Sequence, residues 1–259
     1  MLRLAAALVL FAAPATASVC QSVAWEIPGA QHVRLASADP EGEVTIRFVG
    51  HATFLIETAG GVSIATDYTG WSGPVEVPTV VTMNNAHSTH WTPSPDPRIP
   101  HVLKGWPEGE QVRAEHWLEV GDALVRNVST DIRGWDRGSV RNGNSIFIFE
   151  VGKLCIGHLG HLHHTLGADH YAAIGRLDVV MAPVDGGPTL PLPEMTAILK
   201  RVRASVVLPM HYWGYSSLDR FLAGMAGEFR VIRSEEPTIT LTPRTLPSAP
   251  SIAVLPQGG

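Results

Sequence analysis

Three apolar, β-branched runs in this chain lead straight into histidines, and this pattern constrains the fold more than any other feature. The run Thr79-Val80-Val81-Thr82-Met83 precedes His87 and His90, Leu154-Cys155-Ile156-Gly157 precedes His158, His161, His163 and His164, and Val206-Val207-Leu208-Pro209-Met210 ends on His211. Short runs of this kind read as buried strands. Histidines at the C-terminal ends of several separate strands call for an architecture that brings those ends together. Neutral imidazole is the commonest protein metal ligand, and a site needs about three or four converging groups.

The remaining patterning fits one large domain. Residues 44–49, 53–57 and 62–66 are short β-rich runs separated by Gly50-His51 and Gly60-Gly61, the pattern of a meander with tight turns. A further strand or two falls within 117–128, and 144–151 with 154–157 form a hairpin-like pair around Gly152-Lys153. Helical patterns cover 166–175, 192–202 and 217–225, the last with Ser217 as its expected N-cap. Strands are expected at 179–182, 206–210 and 238–241. Residues 92–112, rich in Pro and Gly, read as a loop or lid that includes Trp106. The tail 243–259 has no pattern and is expected to be disordered. Strands first, then helices near the histidine clusters, suit a two-sheet core flanked by helices rather than a strictly alternating parallel sheet.

The N-terminus carries the marks of a signal peptide over 1–17. Arg3 supplies a positive start, residues 4–13 are apolar but too short to span a bilayer, and Ala15-Thr16-Ala17 is a small-residue cleavage site. The mature chain is expected to begin at Ser18, with an arm over 18–43, and to be periplasmic or secreted. Val19 stands where a lipid-anchor signal ahead of Cys20 needs a small residue. In an oxidising compartment Cys20 and Cys155 could pair; the apolar neighbours of Cys155 favour a small core residue instead. A net charge of -5 gives no basic footprint for nucleic acid. No segment besides the N-terminal one invites membrane insertion, and nothing speaks to oligomeric state.

The stretch Phe48-Val49-Gly50-His51-Ala52-Thr53-Phe54-Leu55-Ile56-Glu57, with Ile64-Ala65-Thr66-Asp67 after it, resembles the opening of metallo-β-lactamase-fold hydrolases, in particular the branch of ascorbate-phosphate lactonase-like enzymes. His158-Leu159-Gly160-His161, Asp178-Val179-Val180-Met181-Ala182-Pro183-Val184 and Leu208-Pro209-Met210-His211-Tyr212 resemble later parts of that branch in the right order. The resemblance covers roughly 44–215. It implies an α+β fold, a four-layer αββα sandwich over 44–242, and metal-dependent hydrolysis of a small-molecule substrate.

The ligand motifs depart from the family's. Where the family has Thr-His-x-His-x-Asp-His, this chain has Thr82, Met83, Asn84, Asn85, Ala86, His87 and Ser88, with His90 two residues on. The mid-chain family histidine falls near Thr130-Asp131, and the family's bridging aspartate corresponds to His161. Only His211 matches a usual ligand unchanged, and the resemblance places His51, His158 and His164 near the site. His87 and His90 share a face if their segment opens a helix, and Asn84 and Asn85 are candidate caps. Neutral ligands leave a metal more of its charge, so a bound water or hydroxide can form near pH ~7. The loss of a bridging carboxylate favours one divalent ion, zinc foremost, with iron, manganese and copper also compatible. The expected ligands are His87, His90, His161 and His211, with His158 or His164 as substitutes. Asp67, His51 and Tyr212 are expected to support them, Asp131 or Asp185 to act as general base or as a late carboxylate ligand, and Trp213 to wall the pocket. A metal-bound hydroxide attacking an ester, lactone or phosphoester is the first reading; a metal-handling protein and a metal-free binding protein on the same fold are the rivals.

Overall fold

The computed structural model describes residues 18–21, 42–134 and 138–258. The expected signal peptide, and the arm apart from 18–21, lie outside the described residues. Two mixed sheets face one another. The first is built from β1 (Val44–Gly50), β2 (Thr53–Thr58), β3 (Ser63–Ala65), β4 (Val80–Met83) and β5 (His101–Lys104), with β13 (Thr238–Leu241) beside β1. The second runs in the order β12 (Arg230–Arg233), β14 (Ser251–Val254), β11 (Val206–Met210), β10 (Val179–Pro183), β9 (Leu154–His158), β8 (Ser139–Val151), β7 (Ala123–Arg133) and β6 (Trp117–Val120).

Alternation along β8 shows how the sequence makes layers. Side chains of a strand point to opposite faces with period two. Phe147, Phe149 and Val151 therefore enter the core between the sheets, while Ile146 and Ile148 enter a second core under the helices. The strands β10 and β11 are buried at all five positions, which is why they read as unbroken apolar runs. The three helices α1 (Ala168–Ile174), α2 (Leu192–Val202) and α3 (Tyr215–Met225) supply that second core. In α2, Met195, Ile198 and Leu199 are buried at helical spacing. The far side of the first sheet is covered by Tyr68, Ile99, Trp91 and Trp106 from its connections, so its outer layer is made of loops among the described residues. No helix there is long and apolar enough to cross a membrane.

Four local expectations need correction. The 92–112 segment is not a free lid: His101–Lys104 pairs in parallel with β4, and Trp106 packs on Trp91 at 5.9 Å. The tail is not disordered: Ser251–Val254 is buried and pairs with both β11 and β12. Ile252 and Val254 carry that strand into the helix-covered core, which so short an apolar run did not announce. Ser217 is not the cap of α3; Gly214 is, and Ser217 is buried within the helix. Finally, Cys20 and Cys155 form a disulfide. Cys155 is a buried core residue as well.

The parallel strands decide where chemistry is possible. Among β9, β10 and β11, all parallel, the C-terminal ends lead to His161, Asp185 and His211. In the facing sheet β3 and β4 are also parallel, and their ends lead to Asp67 and to His87. Ligands in α/β architectures gather outside the carboxyl ends of such strands.

Candidate metal centre

Each side chain of the site is placed by a constrained piece of backbone. His51 sits in the β1–β2 turn with φ 52°, Asp67 follows β3 with φ 42°, and His211 follows β11 with φ 55°. Only five non-glycine residues among those described have positive φ, and three of them are here. Such conformations cost about 1–3 kcal/mol each and persist where surrounding structure enforces them. One enforcing contact joins the two sheets: the His211 N–H donates to the His51 carbonyl at 2.7 Å. The segment of His87 and His90 does not open a helix. A single turn, closed by the His90 N–H on the His87 carbonyl at 3.0 Å, brings them together.

Two buried asparagines hold the loops in register. Asn84 donates from Nδ2 to Asp67 Oδ1 at 2.9 Å and accepts the Ser145 N–H at 2.7 Å. Asn144 accepts the His161 N–H at 2.7 Å and donates to Thr130 Oγ1 at 2.9 Å. Gly160 (φ 60°) permits this; a Cβ there would meet Asn84 Nδ2 at 2.5 Å and a backbone carbonyl at 3.0 Å. Asn84 is thus a cross-link between loops, not a helix cap. Its signal in the sequence was an amide directly abutting an apolar strand end.

Five imidazoles converge on this scaffold. Ring centroids lie 4.2 Å apart for His51 and His211, 4.6 Å for His87 and His90, 4.7 Å for His90 and His161, and 4.8 Å for His161 and His211. One ring nitrogen from each of His51, His87, His90 and His211 falls within 4.8 Å of the other three. His161 Nε2 lies 2.9 Å from His87 Nε2. The Nε2 atoms of His90 and His211 are buried without any partner. Buried polar atoms are almost always satisfied, so orphaned imidazole nitrogens within one cluster fit a cation bound there.

The opposite ring edges are held. His90 Nδ1 contacts Asp67 Oδ2 at 2.5 Å, and His211 Nδ1 lies 3.0 Å from Asp185 Oδ2. A carboxylate at Nδ1 fixes the tautomer that leaves Nε2 free for a metal. The Thr89 hydroxyl bridges His51 Nε2 and His87 Nδ1, 2.8 Å from each. Burial holds His51 down to about 3, reinforced by His211, His90 and His87. Burial likewise holds His90 and His161 well below the ordinary imidazole value, with neighbouring histidines adding to it. Burial pushes Asp67 up to about 6, against the opposing pull of His158 and Asn84. Burial also works to raise Asp185, but His211, Thr189 and the Thr189 and Gly187 amides outweigh it and hold the carboxyl below its usual range.

The expected ligands divide accordingly. His87, His90, His161 and His211 are brought together, and His51, expected only to support them, joins the same group. His158 does not: its Nε2 donates to the Ala52 carbonyl at 2.8 Å and its Nδ1 accepts the Gly160 N–H, so both nitrogens are committed. His164 has a ring contact only with His163. His163, though 4.6 Å from the His161 ring, accepts the Arg133 N–H on Nδ1. Asp131 accepts the Asn142 N–H across a bulge between β7 and β8 and is absent from the group, so it is a fold residue rather than a base. Asp185 is not a free base either: it accepts from Thr189 Oγ1 and from the Gly187 and Thr189 amides. Tyr212 packs into the helix-covered core. It is Trp213 that faces the site, 4.9 Å from His211 and 5.2 Å from His51.

Known proteins share this frame. A UPF0173 protein of Pyrococcus furiosus is 23% identical over 195 residues, 67% of this chain and 86% of that protein. A Thermotoga maritima protein described as a candidate Zn-dependent hydrolase of the metallo-β-lactamase superfamily superposes with TM-score 0.57 at 23% identity. That match covers 82% of this chain and 98% of the other. Igni18, a metallo hydrolase of Ignicoccus hospitalis, superposes with TM-score 0.52 at 18% identity, covering 77% of this chain and 98% of its own. Residues 45–211, well over half the chain, match the family described as the β-lactamase superfamily domain, and with the two-sheet frame and its histidine-rich centre this shows that the chain belongs to the metallo-β-lactamase superfamily.

Proposed function

We propose that the histidine cluster holds a single divalent ion, zinc foremost, and that the protein is an exported hydrolase of a small ester, lactone or phosphoester. The observation that carries this is the pair of buried, partnerless Nε2 atoms of His90 and His211 beside His51 and His87. One ion is favoured over two because the nearby carboxylates are spent. Asp67 faces His90 and Asn84, and Asp185 faces His211, Thr189 and Gly187, leaving no carboxylate to bridge. When bound, the ion supplies Lewis-acid polarisation of an acyl or phosphoryl oxygen, little weakened by neutral imidazole ligands.

The residues would divide the remaining work. Catalytic zinc sites use three protein ligands and keep a position open, whereas closed sites use four. Five imidazoles here exceed either requirement, so at least one, His161 or His51, is left over as a neutral hydrogen-bonding group beside the ion. Asp67 keeps the His90 proton on Nδ1. The Asp185 carboxylate lies 3.0 Å from His211 Nδ1 as an ion-pair contact, and Thr89 sets the orientations of His51 and His87. Trp213 covers one side of the cluster against water. Export is supported by the Cys20–Cys155 bridge, since disulfides persist in oxidising compartments.

Elemental analysis of protein purified without a histidine tag, paired with an ester, lactone and phosphodiester screen, tests this reading. About one equivalent of zinc is expected, lost together with turnover in His90→Ala and His211→Ala. Copper without turnover would move the protein to a metal-handling role. No metal after reconstitution overturns the proposal.

A further inference from the structure

The loop between β10 and α2 reads Val184-Asp185-Gly186-Gly187-Pro188-Thr189-Leu190-Pro191. Adjacent glycines are the costliest residues to hold in one conformation, yet this loop carries Asp185, whose Oδ2 lies 3.0 Å from His211 Nδ1. Its ends are tied to the frame: the Val184 N–H donates to the Met210 carbonyl and the Leu190 N–H to the Leu162 carbonyl, each at 2.9 Å. Between them the carbonyls of Gly187, Pro188 and Thr189 converge on one nitrogen, Arg133 Nη2, at 2.9, 2.5 and 2.9 Å. We propose that Arg133 is a positioning residue of the histidine cluster: it holds Asp185 against His211 and His163 against His161, and acts on both ligands through these partners. The inference rests on the metal-binding reading above and names a residue that governs it.

A bulge aims Arg133 at this loop. The register between β7 and β8 shifts between Thr130 and Ile132, where Asp131 accepts the Asn142 N–H. A bulge bends its strand and re-aims the side chains beyond it, and Arg133 is the last residue of β7 beyond this one. The backbone of the same residue serves the other ligand. The Arg133 N–H donates to His163 Nδ1 at 2.7 Å, and the His163 ring donates in turn to the Pro188 backbone. That ring stands edge-on to His161, with centroids 4.6 Å apart. Pro188 is therefore reached by the guanidinium and by the imidazole, and the contacts form a closed circuit from β7 through two loops and back.

The residue type fits the task. Three carbonyls gathered at one place offer acceptors alone, and a guanidinium is all donor, planar and permanently charged. That charge makes each such bond stronger than a neutral one. The Asp185 carboxylate is curled inside the same loop by the Gly187 and Thr189 amides and the Thr189 hydroxyl. Gly187 and Thr189 thus give their amides to Asp185 and their carbonyls to Arg133. A loop released from Arg133 would keep its curl but lose its fixed place beside His211. Apparent affinity falls with the fraction of molecules in the competent arrangement.

Titration of zinc in competition with a chelator tests this, with wild type, Arg133→Ala and Arg133→Lys side by side. Arg133→Ala should weaken zinc binding about 10–100-fold, the range for losing a partner that orients a ligand. Arg133→Lys, a point charge in place of a fork, should fall between. Arg133 is exposed, so millimolar ethylguanidinium can reach the gap; it should restore much of the affinity of Arg133→Ala and leave wild type unchanged. In metal-free protein, nitrogen NMR of the histidine side chains should show His211 and His163 shifted by Arg133→Ala, with His90, held by Asp67, unmoved. A residue that only stabilises the fold would lower urea stability with no rescue by ethylguanidinium and no selective shift at His211. That result overturns the inference, as does equal zinc affinity in Arg133→Ala and wild type. A wild type that takes no zinc, with His211 and His163 still shifted selectively in the variant, would uphold the positioning and count against the metal reading alone.

Discussion

The strands β8 and β9 carry a buried polar network at each end, and the two networks follow opposite rules. At one end Glu150 accepts Arg126 Nε at 2.7 Å, Ser18 Oγ at 2.6 Å and the Val19 N–H at 2.9 Å. Each terminal nitrogen of Arg126 donates once more, to the Ala173 and Ile174 carbonyls at 2.8 Å, and the Cys20–Cys155 bridge fastens the same corner. At the other end, six residues along β8 and so roughly 20 Å away, Asn144 supports a centre in which His90 Nε2, His161 Nδ1 and His211 Nε2 are left without partners. Both networks are buried; the first is closed on itself and the second is closed only by something added. A satisfied buried network rigidifies a fold, while an unsatisfied one marks a place where a ligand completes the set.

The largest expected consequence is a difference in proton sensitivity once the metal is removed. His51 is held down to about 3, and His90 and His161 lie well below the ordinary 6.5. Below that ordinary value the unfolded chain binds protons that the folded chain refuses, so stability falls as pH drops, and keeps falling toward the folded-state values. Asp67 acts the other way between 3.8 and about 6, as one group against several. Thermal melts of metal-free protein from pH 7.5 to 5 should therefore show a steep fall in Tm, and zinc at pH 7.5 should raise Tm. A flat profile would mean that the open end is not the strained one.

The closed end should respond in stability alone. Arg126 and Glu150 are 3% and 4% exposed, and removing one member of such a pair costs about 3–5 kcal/mol because its partner is left charged and buried. Arg126→Ala should show that loss in urea unfolding yet bind zinc at the wild-type stoichiometry. Cys20→Ala comes next. The bridge closes a separation of 135 residues, and disulfides contribute about 2–4 kcal/mol, chiefly by constraining the unfolded chain. Metal content should again be unchanged. Loss of zinc in either variant would show that the two ends are coupled.

The contrast also explains what could be read from the chain. The strand ends carrying His87, His90, His161 and His211 were legible because apolar periodicity and strand-end histidines are local signals, and α2 lies where its spacing put it. The disulfide, β14 and the Arg126–Glu150 pair are agreements between residues far apart in sequence, and no local pattern carries them. His158 shows the limit inside the site itself: its spacing matches that of His161, but only the position of the Ala52 carbonyl decides that it serves the backbone. His51 reads only as support because a turn residue gives no hint of the left-handed backbone, φ 52°, that swings it into the cluster.

Asp67→Asn gives the smallest and sharpest effect. The Asn84 amide donates to Asp67 Oδ1, and it cannot turn around because its own Oδ1 is held by the Ser145 N–H. A carboxamide at 67 must therefore place its oxygen toward Asn84 and its NH2 group toward His90 Nδ1. That forces the His90 proton onto Nε2, the atom that would face the metal. Zinc affinity should drop about 10–100-fold, the range for losing a partner that orients a ligand. Metal-free stability should change little or rise, because the variant removes a carboxyl that burial already disfavours in its charged form. Competition titration with a chelator measures the first quantity and urea unfolding of metal-free protein the second. If Asp67→Asn instead cost as much stability as Arg126→Ala and left zinc affinity intact, the two ends of β8 and β9 would be the same kind of network, and the histidine cluster would be structural.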